Sequence, residues 1–226
     1  MLVVENICKS FGKTKVLNNV DFTLDCGECI CLIGTNGSGK STLLSIIAGA
    51  VKQDKGRVYN TDTNLIGYVP QDNILFEELT VMDNLKFWYA AYGLDKKNIF
   101  SKNSIESILN LEEFAMKKVK VISGGMKKRV SIAVSLCHNP NYLVLDEPCS
   151  SLDLIYRNEI IQYLSLLKSM GIGIIFSSHS SVEIKSLCDK LVVLKSNNAY
   201  VVFEEPEIIF KDALNLEQSL IGLIKG

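Results

Sequence analysis

The segment Gly34-Thr35-Asn36-Gly37-Ser38-Gly39-Lys40-Ser41 decides how this sequence is read. Its spacing, G-x-x-x-x-G-K-[ST], builds a phosphate cradle. The glycines let the backbone turn tightly and approach an anion closely. Successive backbone N–H groups then point at phosphate oxygens, and a helix N-terminus adds the positive end of its dipole. Lys40 is placed to reach the β- and γ-phosphates, and the Ser41 hydroxyl to ligate Mg²⁺. The flanks agree with this reading. Residues 29–33 form a β-branched, strand-like run, and residues 42–48 a helical one.

The rest of the chain narrows the class. It has 226 residues, 47% of them hydrophobic, enough for one domain with a sizeable core. The formal net charge of -1 gives no footprint for nucleic acid, so the anion-binding capacity is local to the loop. No apolar run reaches the ~18 residues of a membrane span. The start, Met1-Leu2-Val3-Val4-Glu5, has none of the parts of a signal peptide. The expectation is a cytoplasmic protein, or one peripheral on the cytosolic face of a membrane and not inserted in it. Seven scattered cysteines include a formal C-x-x-C at Cys26–Cys29, but that pair leads into a strand. The cysteines are therefore read as small buried side chains rather than metal or redox groups.

Along the chain, residues 20–24, 29–33, 57–59 and 65–69 read as strands, with turns at 26–27 and 60–64. Thr80-Val81-Met82-Asp83 is a capping box with Asp in place of Glu. Val81, Leu85, Trp88, Tyr89 and Tyr92 follow at helical spacing, closed by Gly93. Ile105, Ile108 and Leu109 predict a second helix, and residues 123–136 a third. Strands return at 142–145, 172–176 and 191–194, with a helix around Ile160–Leu167 ended by Met170-Gly171. This alternation predicts an α/β fold: a mainly parallel sheet covered by helices, with residues 72–139 inserted as a helical block. Phe87, Trp88, Tyr89 and Tyr92 are read mostly as core, the remainder as a groove for a partner helix. Lys127-Lys128-Arg129 is read as a solvated helix face, and His138 as a favourable C-terminal helix residue.

Leu143-Val144-Leu145-Asp146-Glu147 is an apolar strand ending in two acids, at the sheet edge where α/β folds bind ligands. The first acid there suits Mg²⁺ and the second a water attacking the γ-phosphate. Ser123-Gly124-Gly125 opens a helix and so makes a second anion site. His179 follows a buried strand among Ser177, Ser178 and Ser180, placed to donate to a γ-phosphate.

On these motifs, taken in order along nearly the whole chain, the sequence resembles the ATP-binding subunit of an ABC (ATP-binding cassette) transporter. The resemblance implies a P-loop NTPase core with a small antiparallel β edge subdomain and an inserted helical subdomain, in one domain over residues 1–226. Residues 1–71 and 140–226 form the core, and 72–139 the helical subdomain with the signature. It implies that Phe11, where the family usually has Tyr, stacks on adenine. Gly34, Asn36, Gly37, Ser38, Gly39, Lys40, Ser41 and Thr42 hold ATP phosphates. Gln71 senses Mg²⁺ and the γ-phosphate, and Ser123-Gly124-Gly125-Met126 is the signature. Asp146 is the metal acid, Glu147 the base, Ser151-Leu152-Asp153 a loop crossing a dimer interface and His179 the switch histidine. The implied cofactors are ATP and Mg²⁺. The implied partners are a second ATP-binding subunit, the same or different, packed head to tail, and a separate transmembrane permease, with no nucleic acid. Met126, in place of the widespread Gln, and the run 80–93 resemble an exporter-type branch. Ile122 stands for the usual Leu, the stretch 56–71 is short, and the chain stops soon after Leu216-Glu217, so no added regulatory domain is expected. A second reading, a soluble ATP-gated clamp in a cytosolic assembly complex, stays open.

Overall fold

The computed structural model describes residues 1–60, 66–72, 74–195, 200–204 and 222–223. Its strands are β1 (Leu2–Phe11), β2 (Thr14–Leu24), β3 (Cys29–Gly34), β4 (Lys55–Asn60), β5 (Ile66–Val69), β6 (Tyr142–Leu145), β7 (Gly173–Ser177), β8 (Lys190–Leu194) and β9 (Tyr200–Phe203). Its α-helices are α1 (Lys40–Ile47), α2 (Val81–Ala91), α3 (Ile105–Ile108), α4 (Gly124–Leu136), α5 (Leu154–Ser169) and α6 (Ser181–Leu187).

Two sheets result. The larger runs β5-β6-β7-β3-β8-β9, parallel except for the antiparallel edge pair β8–β9. The smaller is an antiparallel sheet in the order β2-β1-β4. Period-two alternation sends side chains of the parallel strands to opposite faces. Cys29, Cys31 and Ile33 of β3, with Leu143 and Leu145 of β6, face a core shared with α2, α4, α5 and α6. Ile30 and Leu32, with Tyr142 and Val144, face a second core shared with α1, β1 and β2. Both faces are covered, which is why these strands read as unbroken apolar runs. Each fully buried Val, Leu or Ile contributes roughly 1.5–3 kcal/mol to holding the layers together.

Between β5 and β6, α2, α3 and α4 form the helical block. The Thr80 side chain accepts from the Asp83 N–H and the Asp83 carboxylate bonds back, completing the capping box. Gly93 (φ +68) follows α2, and Gly171 (φ +93) follows α5. The helix expected at Ile105 is a single turn.

Several expectations are corrected. Lys128 and Arg129 are 8% and 6% exposed, not a solvated face. Lys127 alone faces outward, paired with Glu77 at 2.8 Å. The Arg129 guanidinium donates to the carbonyls of Leu109 (2.8 and 2.5 Å) and Asn110 (2.7 Å), between the rings of Phe114 and Tyr163. His138 lies beyond α4 and stacks on Tyr92 (4.3 Å), and burial lowers its pKa, so it brings no charge to the helix dipole. All seven cysteines are free; Cys29, Cys31 and Cys149 are buried, but Cys26 is exposed. β1 and the first half of β2 were not anticipated, β7 starts one residue later than expected, and Asn60 ends β4 instead of opening a turn. The rest of that turn, Leu65 and residues 216–217 lie outside the described residues.

Candidate functional site

Sheet order assembles the site. β5, β6, β7 and β3 are consecutive neighbours, all parallel. Their C-terminal ends therefore line up, and from them emerge Gln71, then Asp146–Glu147, then His179, then the phosphate loop. These residues are far apart in sequence, but in the sheet they stand on adjacent strand ends, where parallel sheets take ligands.

The loop after β3 turns at Thr35–Ser38 (Ser38 N–H to Thr35 O, 3.1 Å) with Gly37 at φ +81. Gly39 caps α1 at φ +101, and a Cβ there would lie 2.9 Å from side-chain carbons of Val16 and Leu17. Only glycine fits. α1 has neither a side-chain cap nor an acid in its first turn. Its leading N–H groups and dipole are thus left for an anion. The Lys40 ammonium donates to the carbonyls of Gly34 (2.9 Å) and Thr35 (3.2 Å). Burial lowers its pKa, while Glu147 and Asp146 pull it back up. The buried Ser38 hydroxyl has no protein partner. This unspent donor, the open helix end and the folded-back lysine fit a polyphosphate.

Phe11, Asn36, Gly37, Gly39 and Lys40 line one cleft of about 490 Å³, together with Ser41, Thr42, Gln71 and Glu147. Phe11, at the end of β1, is 55% exposed, with the Lys9 ammonium 5.3 Å from its ring centre. Its free ring face suits a flat aromatic base. Asp146 is buried at 3% exposure, beneath the cleft. Its Oδ1 accepts from Ser177 Oγ at 2.6 Å. Asp146 and the Ser41 hydroxyl are hard oxygen donors of the kind Mg²⁺ takes. Among the described residues no group of three or more His, Cys, Asp or Glu could hold a metal ion.

Glu147 has φ +46, a left-handed backbone that costs a non-glycine residue roughly 1–3 kcal/mol. Its carboxylate lies 3.6 Å from His179 Nε2, just beyond a direct hydrogen bond. Burial and then Lys40 lower the His179 pKa, against the pull of Glu147, so the imidazole is neutral near pH 7. His179 lines a neighbouring cleft of about 400 Å³ that shares Glu147 with the first. Ser123, Gly124 and Gly125 line neither cleft. The Ser123 hydroxyl accepts from the Met126 N–H, capping its own helix.

Three residues of this network were not singled out from the sequence. Ser177 joins both acids, Ser178 donates to Glu183 (2.7 Å) and accepts from the Ser180 N–H (2.9 Å), and Glu183 is buried. The only signal was the serine-rich setting of His179, which looks like an ordinary surface loop.

A phosphate loop beside a strand-end carboxylate pair on a parallel sheet defines a P-loop nucleotide-binding ATPase. A family model described as ABC transporter matches residues 17–150. Among curated proteins, the linearmycin resistance ATP-binding protein LnrL of Bacillus subtilis is 37% identical over 206 residues, covering 86% of this chain and 66% of that protein. The lantibiotic transport ATP-binding protein SrtF of Streptococcus pyogenes is 34% identical, covering 84% of each. A solved nucleotide-free ATP-binding cassette from an ABC transporter superposes with a TM-score of 0.82 at 28% identity, covering 100% of this chain and 99% of that one. The chain belongs to the ABC transporter family, as one of its ATP-binding, ATP-hydrolysing subunits. It spans just under two-thirds of the length of the linearmycin relative.

Proposed function

We propose that this protein binds Mg·ATP in the cleft between Phe11 and Glu147 and couples its hydrolysis to export through a separate membrane permease. The observation that carries the chemistry is one cleft lined by Lys40, Ser41, Gln71 and Glu147 together with the exposed Phe11 ring, with the buried Asp146 carboxylate within electrostatic reach of Lys40. The names of two relatives, a linearmycin resistance protein and a lantibiotic transport protein, support export.

In this reading Phe11 stacks on adenine, and the open end of α1 with Asn36, Ser38 and Thr42 receives the phosphates. Ser41, Asp146 and Gln71 hold Mg²⁺, which when bound supplies charge neutralisation at the β- and γ-oxygens. Glu147 accepts the proton of the attacking water. Lys40 swings from the Gly34 and Thr35 carbonyls to the γ-phosphate, where His179 donates a hydrogen bond. Ser123, Gly124 and Gly125 complete the site from a second copy or a related subunit packed head to tail. That arrangement explains why they line no cleft with Lys40 here.

The permease surface is the aromatic ladder of the helical block. Phe76 meets Phe87 (4.7 Å), Phe87 meets Trp88 (5.6 Å) and Trp88 meets Tyr92 (6.2 Å). Tyr89 is core, bonded to Glu106, but Phe76, Phe87 and Tyr92 stay 40–47% exposed. Such a face suits a helix of a partner. Among the described residues no helix is long and apolar enough to cross a membrane.

Glu147→Gln is the test. It should retain ATP, lose turnover by about 10²–10⁴-fold, accumulate as an ATP-dependent dimer and sediment with membranes from the native host. Native turnover refutes the assignment of the base, and recovery only with soluble proteins refutes the permease.

A further inference from the structure

Ser177 ends β7 and is fully buried, yet its side chain is turned to the neighbouring strand. Its Oγ donates to Asp146 Oδ1 at 2.6 Å and accepts from the Glu147 backbone N–H at 2.8 Å. A hydroxyl has one proton to give, and here it goes to the carboxylate while a lone pair takes the N–H. One oxygen thus ties β7 to both acids at the end of β6.

The residue it holds is the one with the improbable backbone. Glu147 sits at φ +46, and a non-glycine residue stays there only when its surroundings over-determine it. On its carbonyl side Glu147 is tied to Ser150, through the Ser150 N–H (3.2 Å) and Oγ (3.1 Å), in an exposed turn. On its N–H side the tie is Ser177, fully buried at the C-terminal end of β7. Deleting that oxygen leaves an N–H with no acceptor, and the peptide gains by rotating until it finds one.

We propose that Ser177 is a positioning residue for hydrolysis: its buried hydroxyl locks the Glu147 peptide in the left-handed conformation that aims the carboxylate into the nucleotide cleft, and it orients Asp146 through the same oxygen. The proposal rests on the reading of Glu147 as the base. Ser177 lines neither cleft; it acts through the two acids.

Ser177→Ala, Ser177→Thr and Glu147→Gln are compared with the native chain for steady-state ATP turnover and for equilibrium binding of a fluorescent ATP analogue. In Ser177→Ala, kcat falls about 10- to 100-fold, the usual loss when a residue supporting reactive groups is removed. Its KM and analogue affinity stay within about twofold of native, because the loss is confined to the reacting geometry. Ser177→Thr keeps the hydroxyl and restores most of kcat, and a crystal structure of Ser177→Ala shows Glu147 outside the left-handed region.

The two ways of failing are distinguishable. Native kcat in Ser177→Ala beside an inactive Glu147→Gln overturns the role of Ser177 and leaves the base standing. Native kcat in Glu147→Gln overturns the base, and this proposal with it. An affinity loss as large as the kcat loss, equal losses in the Ala and Thr variants, or an Ala structure in which Glu147 keeps its φ each overturns the positioning role.

Discussion

Arg129→Met tests whether the inner face of α4 is fastened as the structure shows. Arg129 is 6% exposed and makes three N–H···O contacts to two carbonyls, on residues 109 and 110. Methionine nearly fills the same volume, so little cavity remains, and the loss is polar. The Leu109 carbonyl is left buried without a donor, at roughly 1–3 kcal/mol, and the half-buried Asn110 carbonyl adds a smaller amount. Two ring faces, Phe114 and Tyr163, lose a cation worth roughly 0.5–1 kcal/mol each. Removing a buried charge returns part of this, because its desolvation penalty disappears. The balance is a destabilisation of about 3 kcal/mol, against a total stability of order 5–15 kcal/mol. At about 2–4 °C per kcal/mol for a chain of this size, Tm drops by about 6–12 °C in a calorimetric scan. Arg129→Lys keeps the charge but cannot fork to two carbonyls, so it falls between. A Tm for Arg129→Met within about 2 °C of native, or above it, refutes the reasoning, since desolvation then cancels the hydrogen bonds.

Two further predictions follow from close packing and from burial. In Gly125→Ala the new Cβ lies 2.6–2.7 Å from atoms of Tyr156 in α5, so denaturant unfolding should show a loss of roughly 1–3 kcal/mol; unchanged stability would mean that α4 and α5 are not in this contact. Burial places the folded-state pKa of His138 below its ordinary value of 6.5, so as the pH falls the unfolded chain takes up the proton first. Stability is therefore fully present above about pH 6.5 and is lost below it, down to the folded pKa. His138→Phe should flatten that decline in urea melts at about pH 7 and about pH 5, and an unaltered slope would show that another group is responsible.

Much of the site was legible because its residues are chemically committed over short spans. The phosphate loop, the acid pair after residues 143–145 and the Thr80 capping box each declare a geometry within a few positions. The antiparallel sheet was half missed for a physical reason. β1 and β2 shift register at several points, with Asn6 (φ +51) and Asn19 (φ +50) in left-handed conformations. Bulges of that kind break the alternation by which strands are recognised. The basic run 127–129 misled because charge was read as exposure, although acceptors from the segment after α3 and two aromatic rings were waiting for Arg129. Ser177 is invisible in the sequence because its partners stand at the end of a neighbouring strand, and sequence spacing does not report such bonds; Ser178 and Glu183 pair locally, but as a polar loop running into a helix they look like ordinary surface.

The cleft between Phe11 and Glu147 has walls from two separately hydrogen-bonded sheets. Phe11 and Val16 come from the antiparallel one, while Lys40, Gln71 and Glu147 come from loops of the parallel one. An occupant that touches all of them is a cross-link between two layers. At a hundredfold excess over its Kd it adds about 2.7 kcal/mol to global stability by mass action alone. Because the cross-link reaches Phe11, that protection should extend to the amides of β1 and β2, which contact no phosphate. Slower hydrogen exchange in those strands would report when the cleft is filled, even in a variant unable to turn ATP over.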